Sequence, residues 1–329
     1  MRLANSLLFV ALASVAACGT QDKPGVGGDD QPGSDAGAGT DGAPGSDGGA
    51  DPFVAPPGFT RLLGRTWSLA AGETDTYKCV RFTLTEDTYA TSILAEAPSG
   101  THHTVLSIAG ANGTSGADGE YNCNVSTLGT VMLFASGVNT SQLDFPDGVG
   151  VKIPAGTQVS LNLHLFNATD DPLSGESAIW IKKPASPPAM IAEMAFAGKF
   201  LFSIPAANQP YSVTGGCTAQ SDYTLFALWP HMHQIGSHSK FEVTHQGTKT
   251  MYLDEPYSFT EQRYWPESPL IQVHSGDQIT ATCTWTNTTG ATMHFGESST
   301  DEMCFIGMYR YPAVGSNIFA CTDTQGAGF

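Results

Sequence analysis

The chain has 329 residues, 41% hydrophobic and 14% charged, enough for two modest domains once the ends are set aside. Its 14 Lys and Arg stand against 31 Asp and Glu, a net charge of -17. That balance excludes the basic face a nucleic-acid binder presents to phosphates. With 37 Gly and 20 Pro it suits strands and turns better than helices. Only the N-terminus is apolar for long enough to concern a membrane, which excludes a polytopic membrane protein.

Arg2 precedes the apolar run from Leu7 to Val15, followed by Ala16, Ala17 and Cys18. A basic start, a short apolar stretch and small residues before the cut define residues 1–18 as a secretory signal. The run falls short of the roughly twenty residues that span a bilayer. Val15-Ala16-Ala17-Cys18 also resembles a bacterial lipobox, in which Cys18 becomes the lipidated first residue. The plainer alternative is an ordinary cleavable signal with a stray cysteine. Under the lipobox reading the protein is exported and lipid-anchored. Gly19 is not the aspartate linked to inner-membrane retention, so the outer membrane or cell surface is expected.

Residues 19–57 are Gly, Asp, Ala, Pro and Ser with almost nothing to bury. Such a segment cannot offset its ordering entropy and is expected to be a disordered tether.

From Phe59 onward, short β-type runs alternate with Gly, Pro, Asn and Asp. In Val159-Ser-Leu-Asn-Leu-His-Leu165 the odd positions are apolar and the even ones polar, the signature of a half-buried antiparallel strand. Similar runs cover 89–95, 131–136, 177–182, 224–229, 240–243 and 278–286. No window carries a capped helical stripe, and no strong internal repeat is evident. Lys183-Pro-Ala-Ser-Pro-Pro188 reads as a joint. The expected fold is all-β: two consecutive antiparallel β-sandwich domains, jelly-roll-like, over 58–188 and 189–329.

Besides Cys18 there are six cysteines, Cys79, Cys123, Cys217, Cys283, Cys304 and Cys321. In an exported chain an even count reads as three disulfides, with fifteen pairings open. No C-x-x-C occurs, so neither a zinc knuckle nor a thioredoxin-type site is suggested.

The histidines are unevenly placed. His231-Met232-His233 puts two imidazoles at i and i+2, on one face of a strand. His102 and His103 point to opposite faces of a regular strand and meet at one ion only at a bend or strand end. His164 lies in the alternating strand. Met303 sits in the polar stretch Asp301-Glu-Met-Cys304, an unexpected setting for a purely packing methionine.

In order, Asp75-Thr-Tyr-Lys-Cys79, Thr101-His-His-Thr104, Leu161-Asn-Leu-His-Leu165, His231-Met-His233 with Gly236, and Asp301-Glu-Met-Cys304 running into Tyr309-Arg-Tyr-Pro312 form a set. The set resembles the copper type II, ascorbate-dependent monooxygenases, the family of peptidylglycine α-hydroxylating monooxygenase and dopamine β-monooxygenase. The resemblance runs from about residue 60 to 325. It implies two β-sandwiches facing each other across a solvent-filled cleft, each with one copper ion. His102, His103 and His164 are the implied ligands of the first copper; His231, His233 and Met303 are those of the second. It further implies O2 and a reductant such as ascorbate as co-substrates, with Met303, His231, His233 and Tyr77 at the catalytic centre. The implied disulfides are Cys79–Cys123, Cys217–Cys321 and Cys283–Cys304.

The chain also departs from the family. Where the peptide-hydroxylating branch clamps a substrate carboxylate, this sequence has Trp229, Phe305 and Gly307. Asn162 replaces a family glutamine. Peptidylglycine is therefore not the expected substrate. Trp229 and Phe305, with Asn162, either line an apolar pocket or fill an unused cleft.

The sequence thus predicts a dicopper monooxygenase that hydroxylates a C–H bond of a small organic substrate. Its rival is a copper-sequestering lipoprotein with no catalytic role. A carbohydrate-binding sandwich is a third reading, and it makes six apparent ligands coincidental. No nucleic-acid partner is expected, and membrane contact is expected through the lipid anchor alone.

Overall fold

The computed structural model describes residues 55–109, 116–124, 130–138, 141–315 and 317–323. The signal, Cys18 and nearly all of the tether lie outside the described residues. Among the described residues there is no helix, and so none long and apolar enough to cross a membrane.

The sheets divide by position in the chain. Strands up to Lys182 build a four-stranded sheet, ordered Thr60–Leu69, Leu173–Lys182, Ser92–Glu96, Ser141–Asp144. They also build a five-stranded sheet, ordered Gly119–Asn122, Thr76–Thr83, Gln158–Leu165, Thr101–Ala109, Thr130–Ser136. Strands from Glu193 on form a second five-stranded sheet, ordered Trp265–Val273, Tyr223–His231, Cys304–Tyr311, Glu193–Lys199, Cys321–Thr322. A four-stranded sheet, Tyr211–Thr218, Gln278–Trp285, Gly236–His245, Thr248–Pro256, accompanies it. Met190–Ile191 pairs back onto Val149–Ile153 beside the Pro-rich joint.

Alternation drives this arrangement. In Gln158–Leu165 the side chains of Val159, Leu161, Leu163 and Leu165 are fully buried. Burying a side chain of this size contributes roughly 1.5–3 kcal/mol. One apolar core carries residues of both halves, from Leu63, Leu106 and Phe134 to Phe196, Phe226, Trp229 and Phe305. A second core, around Leu225, Phe241, Ile279 and Met308, belongs to the later strands.

The halves do share a repeated unit. Gly156 and Gly276 both adopt positive φ, at 79° and 94°, where glycine turns the chain without a Cβ clash. Gln158 and Gln278 follow at the head of matching strands. Each strand then ends in an Asn-x-Thr loop with the same hydrogen bonds. Asn167 Nδ2 donates to Ala70 O and Asp171 O, while Thr169 N and Oγ1 donate to Asn167 Oδ1. Asn287 and Thr289 repeat the set with Ile204 O and Ala291 O. The repeat was hidden because the shared residues are turn and cap positions while the strand interiors differ.

Three disulfides join Cys79 to Cys123, Cys217 to Cys321 and Cys283 to Cys304, the pairing that the family resemblance implies. Cys283–Cys304 ties Gln278–Trp285 to the residue after Met303.

Candidate metal centre

His103 and His164 lie directly opposite each other on neighbouring strands. The register then slips, pairing Leu165 with Thr101 and leaving His102 in a bulge. A bulge inserts one unpaired residue and re-aims its side chain. It resolves the conflict that a regular strand poses for adjacent histidines. His102 Nδ1 and His103 Nδ1 are 3.2 Å apart, and one ring nitrogen from each of His102, His103 and His164 falls within 4.8 Å of the others.

Asp75 holds the third ring. Its Oδ1 lies 3.0 Å from His164 Nε2, which leaves Nδ1 as the nitrogen free for a ligand role. Asp75 has φ of 56°, an uncommon conformation for a side-chain-bearing residue and one found at functional sites. Tyr77 lies flat on the same ring, with centroids 4.6 Å apart and an interplanar angle of 3°. Burial and the Asp75 carboxylate push its phenol pKa up.

The second set comes from the other five-stranded sheet. His231 closes the strand Tyr223–His231, and His233 follows two residues later; the ring centroids are 5.3 Å apart. Gln262 Oε1 accepts from His231 Nδ1 at 2.8 Å, and Asp301 O accepts from His233 Nδ1 at 3.1 Å. Both hydrogen bonds leave Nε2 as the available ligand atom. Met303 packs on the shared core and lines the same cavity as His231 and His233.

Two features that hold this set were not legible in the sequence. Glu302, in the stretch that reads as polar, is fully buried. Its carboxylate accepts from His233 N at 2.9 Å, Ile235 N at 3.0 Å and Trp285 Nε1 at 2.8 Å. Burial pushes its pKa up, against the pull of those donors. Gln262, the other feature, sits on the loop before Trp265–Val273 and gave no local signal.

His103 and His164 of the first set and His231, His233 and Met303 of the second line one cavity of about 120 Å³. Trp229 and Phe305 line it with Phe196, Phe200, Phe295 and Phe319. Asn162 lines it too, and its Nδ2 donates to Asn124 O at 3.0 Å. No Lys or Arg is among the described lining residues. Where the resemblance implies a solvent-filled cleft, Gln262 spans the two sets, with Nε2 2.7 Å from His103 Nε2. The remaining histidines lie elsewhere. His238 pairs with Asp254 and His245 with Asp277, His274 lies 3.9 Å from Asp222, and His294 is exposed.

Burial is the leading cause in all five of the cluster rings with shifted basicity. It holds His102 and His231 down to about 4 and His233 to about 3. His103 lies well below the usual value, and His164 is lowered although Asp75 opposes the shift. At neutral pH these rings are uncharged, the form that binds metal. The donors fit copper: three imidazoles in one set, two imidazoles and a soft thioether in the other.

Residues 189–326 match the family model described as copper type II ascorbate-dependent monooxygenase, C-terminal domain. The match begins directly after the Pro-rich joint. Among curated proteins no match is found. Solved structures similar to this chain include the major capsid protein P2 from Bacteriophage PM2, at 9% identity and a TM-score of 0.32, covering 78% of this chain and 100% of that one. The STIV MCP gives 10% identity and a TM-score of 0.28, covering 77% and 92%. Similarities of that size carry nothing about function.

Two outcomes follow. Because the cluster imidazoles have folded pKa values below 6.5, protons favour the unfolded chain. Metal-free protein should keep full stability above about pH 6.5 and lose it as pH falls toward 4. Glu267, pushed up to about 7 by burial, acts in the opposite sense together with Glu96 and Glu302, which burial also raises, three carboxyls against five rings. Urea midpoints at pH 7.5 and 4.5 check this; an equal or higher acid midpoint contradicts it. Glu302→Ala strands three donors at about 1–3 kcal/mol each and should cost about 3 kcal/mol or more in urea unfolding. A loss below about 1 kcal/mol contradicts the assigned role.

Proposed function

We propose that the protein is an exported dicopper monooxygenase that hydroxylates a C–H bond of a small apolar or aromatic substrate. The observation that carries this reading is the convergence of two ligand sets, one all nitrogen and one with a thioether, on one aromatic cavity. The two groups of sheets are read as two copper-binding domains, 58–188 and 189–329.

His102, His103 and His164 hold one copper ion, and His231, His233 and Met303 the other. The thioether of Met303 favours Cu(I). Bound copper supplies one-electron redox chemistry and dioxygen activation, with ascorbate or an equivalent as donor. The chain's own residues prepare for that chemistry. Asp75, Gln262 and the Asp301 carbonyl fix which ring nitrogen is free, and Glu302 braces the turn carrying His233. Tyr77 keeps His164 in plane by stacking. Trp229, Phe305 and their neighbours exclude water and select an apolar substrate body, worth roughly 25 cal/mol for each Å² they cover. An aromatic cavity beside the methionine set favours catalysis over sequestration, which has no use for such walls. Cys18 is read as a lipid anchor to the outer membrane.

Purified protein should bind two copper ions per chain. Met303→Ala should weaken Cu(I) at one site by at least about tenfold and spare the other. Ascorbate and O2 should then drive hydroxylation of a member of a small aromatic panel. One copper per chain, or copper reduction with no product from any panel member, overturns the enzyme. Cys18→Ser should move the protein from the membrane fraction to the soluble one; unchanged fractionation contradicts the anchor.

A further inference from the structure

Gln262 is buried, and its amide joins both ligand sets to its own loop. Nε2 donates to Phe259 O at 3.1 Å and lies 2.7 Å from His103 Nε2, while Oε1 accepts from His231 Nδ1 at 2.8 Å. The Phe259 carbonyl fixes the amide orientation, because a flip sets two carbonyl oxygens against each other. His103 Nε2 is therefore an acceptor, and a neutral imidazole then carries its proton on Nδ1. That proton has a partner in His102 Nδ1, 3.2 Å away. The four side chains form one satisfied chain of neutral donors and acceptors.

The loop over 257–264 is clipped to the strand Thr130–Ser136 and the residue after it. Ala135 N donates to Tyr264 Oη at 2.9 Å, and the same hydroxyl donates to Ala135 O. Gly137 N donates to Gln262 O at 3.2 Å. A Cβ on Gly137 would lie 3.0 Å from Gln262 N, tighter than most contacts allow, so the approach depends on glycine there. Phe259 covers His102 and His103, at centroid distances of 4.8 and 5.1 Å.

This arrangement conflicts with a cation at the first set. If an ion takes the Nδ1 atoms of His102 and His103, the His103 proton moves to Nε2, where it meets the Gln262 N–H group. Flipping the amide repairs that contact and spoils two others, at Phe259 O and at His231 Nδ1. We propose that Gln262 is a positioning residue shared by the two sets, and that filling the His102/His103/His164 set releases Gln262 and its loop from His103. The bridge thus opposes filling of the first set while holding His231 Nε2 ready for the second. The inference rests on the copper reading of the two sets.

Copper(II) is titrated into the metal-free full chain, and stoichiometry, site affinities from electron paramagnetic resonance, and amide hydrogen exchange are followed together. Filling the first set should speed exchange in peptides over 133–138 and 257–264. In Gln262→Leu those peptides should exchange fast before copper is added and change little after it. The same variant should bind copper about three- to tenfold more tightly at the first set, since no bridge has to break. It should bind about tenfold more weakly at the second, where His231 loses its orienting partner. A purely structural role weakens both alike. Copper binding with unchanged or slower exchange of the loop in the wild-type chain overturns the proposal, as does equal weakening of both sites. No bound copper overturns the underlying copper reading with it, and the stoichiometry separates that outcome from the others.

Discussion

Five imidazoles are held largely out of water in one region, and three of them turn one nitrogen to a protein oxygen. Burial is the main reason the rings stay neutral, since a charged ring loses its hydration there, and neighbouring imidazoles add to it at His103 and His233. Neutrality does not decide which nitrogen is free. Asp75 decides it for His164, Gln262 for His231 and the Asp301 carbonyl for His233. Those partners come from separate parts of the chain, so the site forms only when the fold does.

The β framework makes this possible by placing candidate ligand pairs in register. His103 and His164 face each other across two central strands, and the bulge at His102 brings in a third ring. His231 pairs with Phe305, so the strand that ends in His231 also fixes an aromatic wall of the cavity. Glu302 and the Cys283–Cys304 bond brace the residues on either side of Met303. The thioether is thereby held by local chain geometry as well as by packing.

Much of the fold was legible because strand alternation is a local signal. The run Val159–Leu165 gave its face, its partner type and the burial of its apolar side chains without any tertiary information. The likeness of His102-His103, His164, His231-Met-His233 and Met303 to a known ligand order pointed to the site in the same way. Glu302 reads as part of a polar stretch because an acidic residue reads as exposed unless its donors are known, and these come from 233, 235 and 285. Gln262 was invisible for the same reason: its partner His103 is 159 residues away. The repeated Gly, Gln and Asn-x-Thr positions escaped notice because matching turns outlast matching strand interiors.

In the dicopper reading one site contains sulfur and the other only nitrogen. X-ray absorption of protein loaded with two Cu(I) ions tests it most directly. A sulfur scatterer on about half the copper, lost in Met303→Leu with the nitrogen shell intact, is the predicted result. A nitrogen-only shell on all the copper, or a sulfur signal that survives removal of Met303, contradicts it.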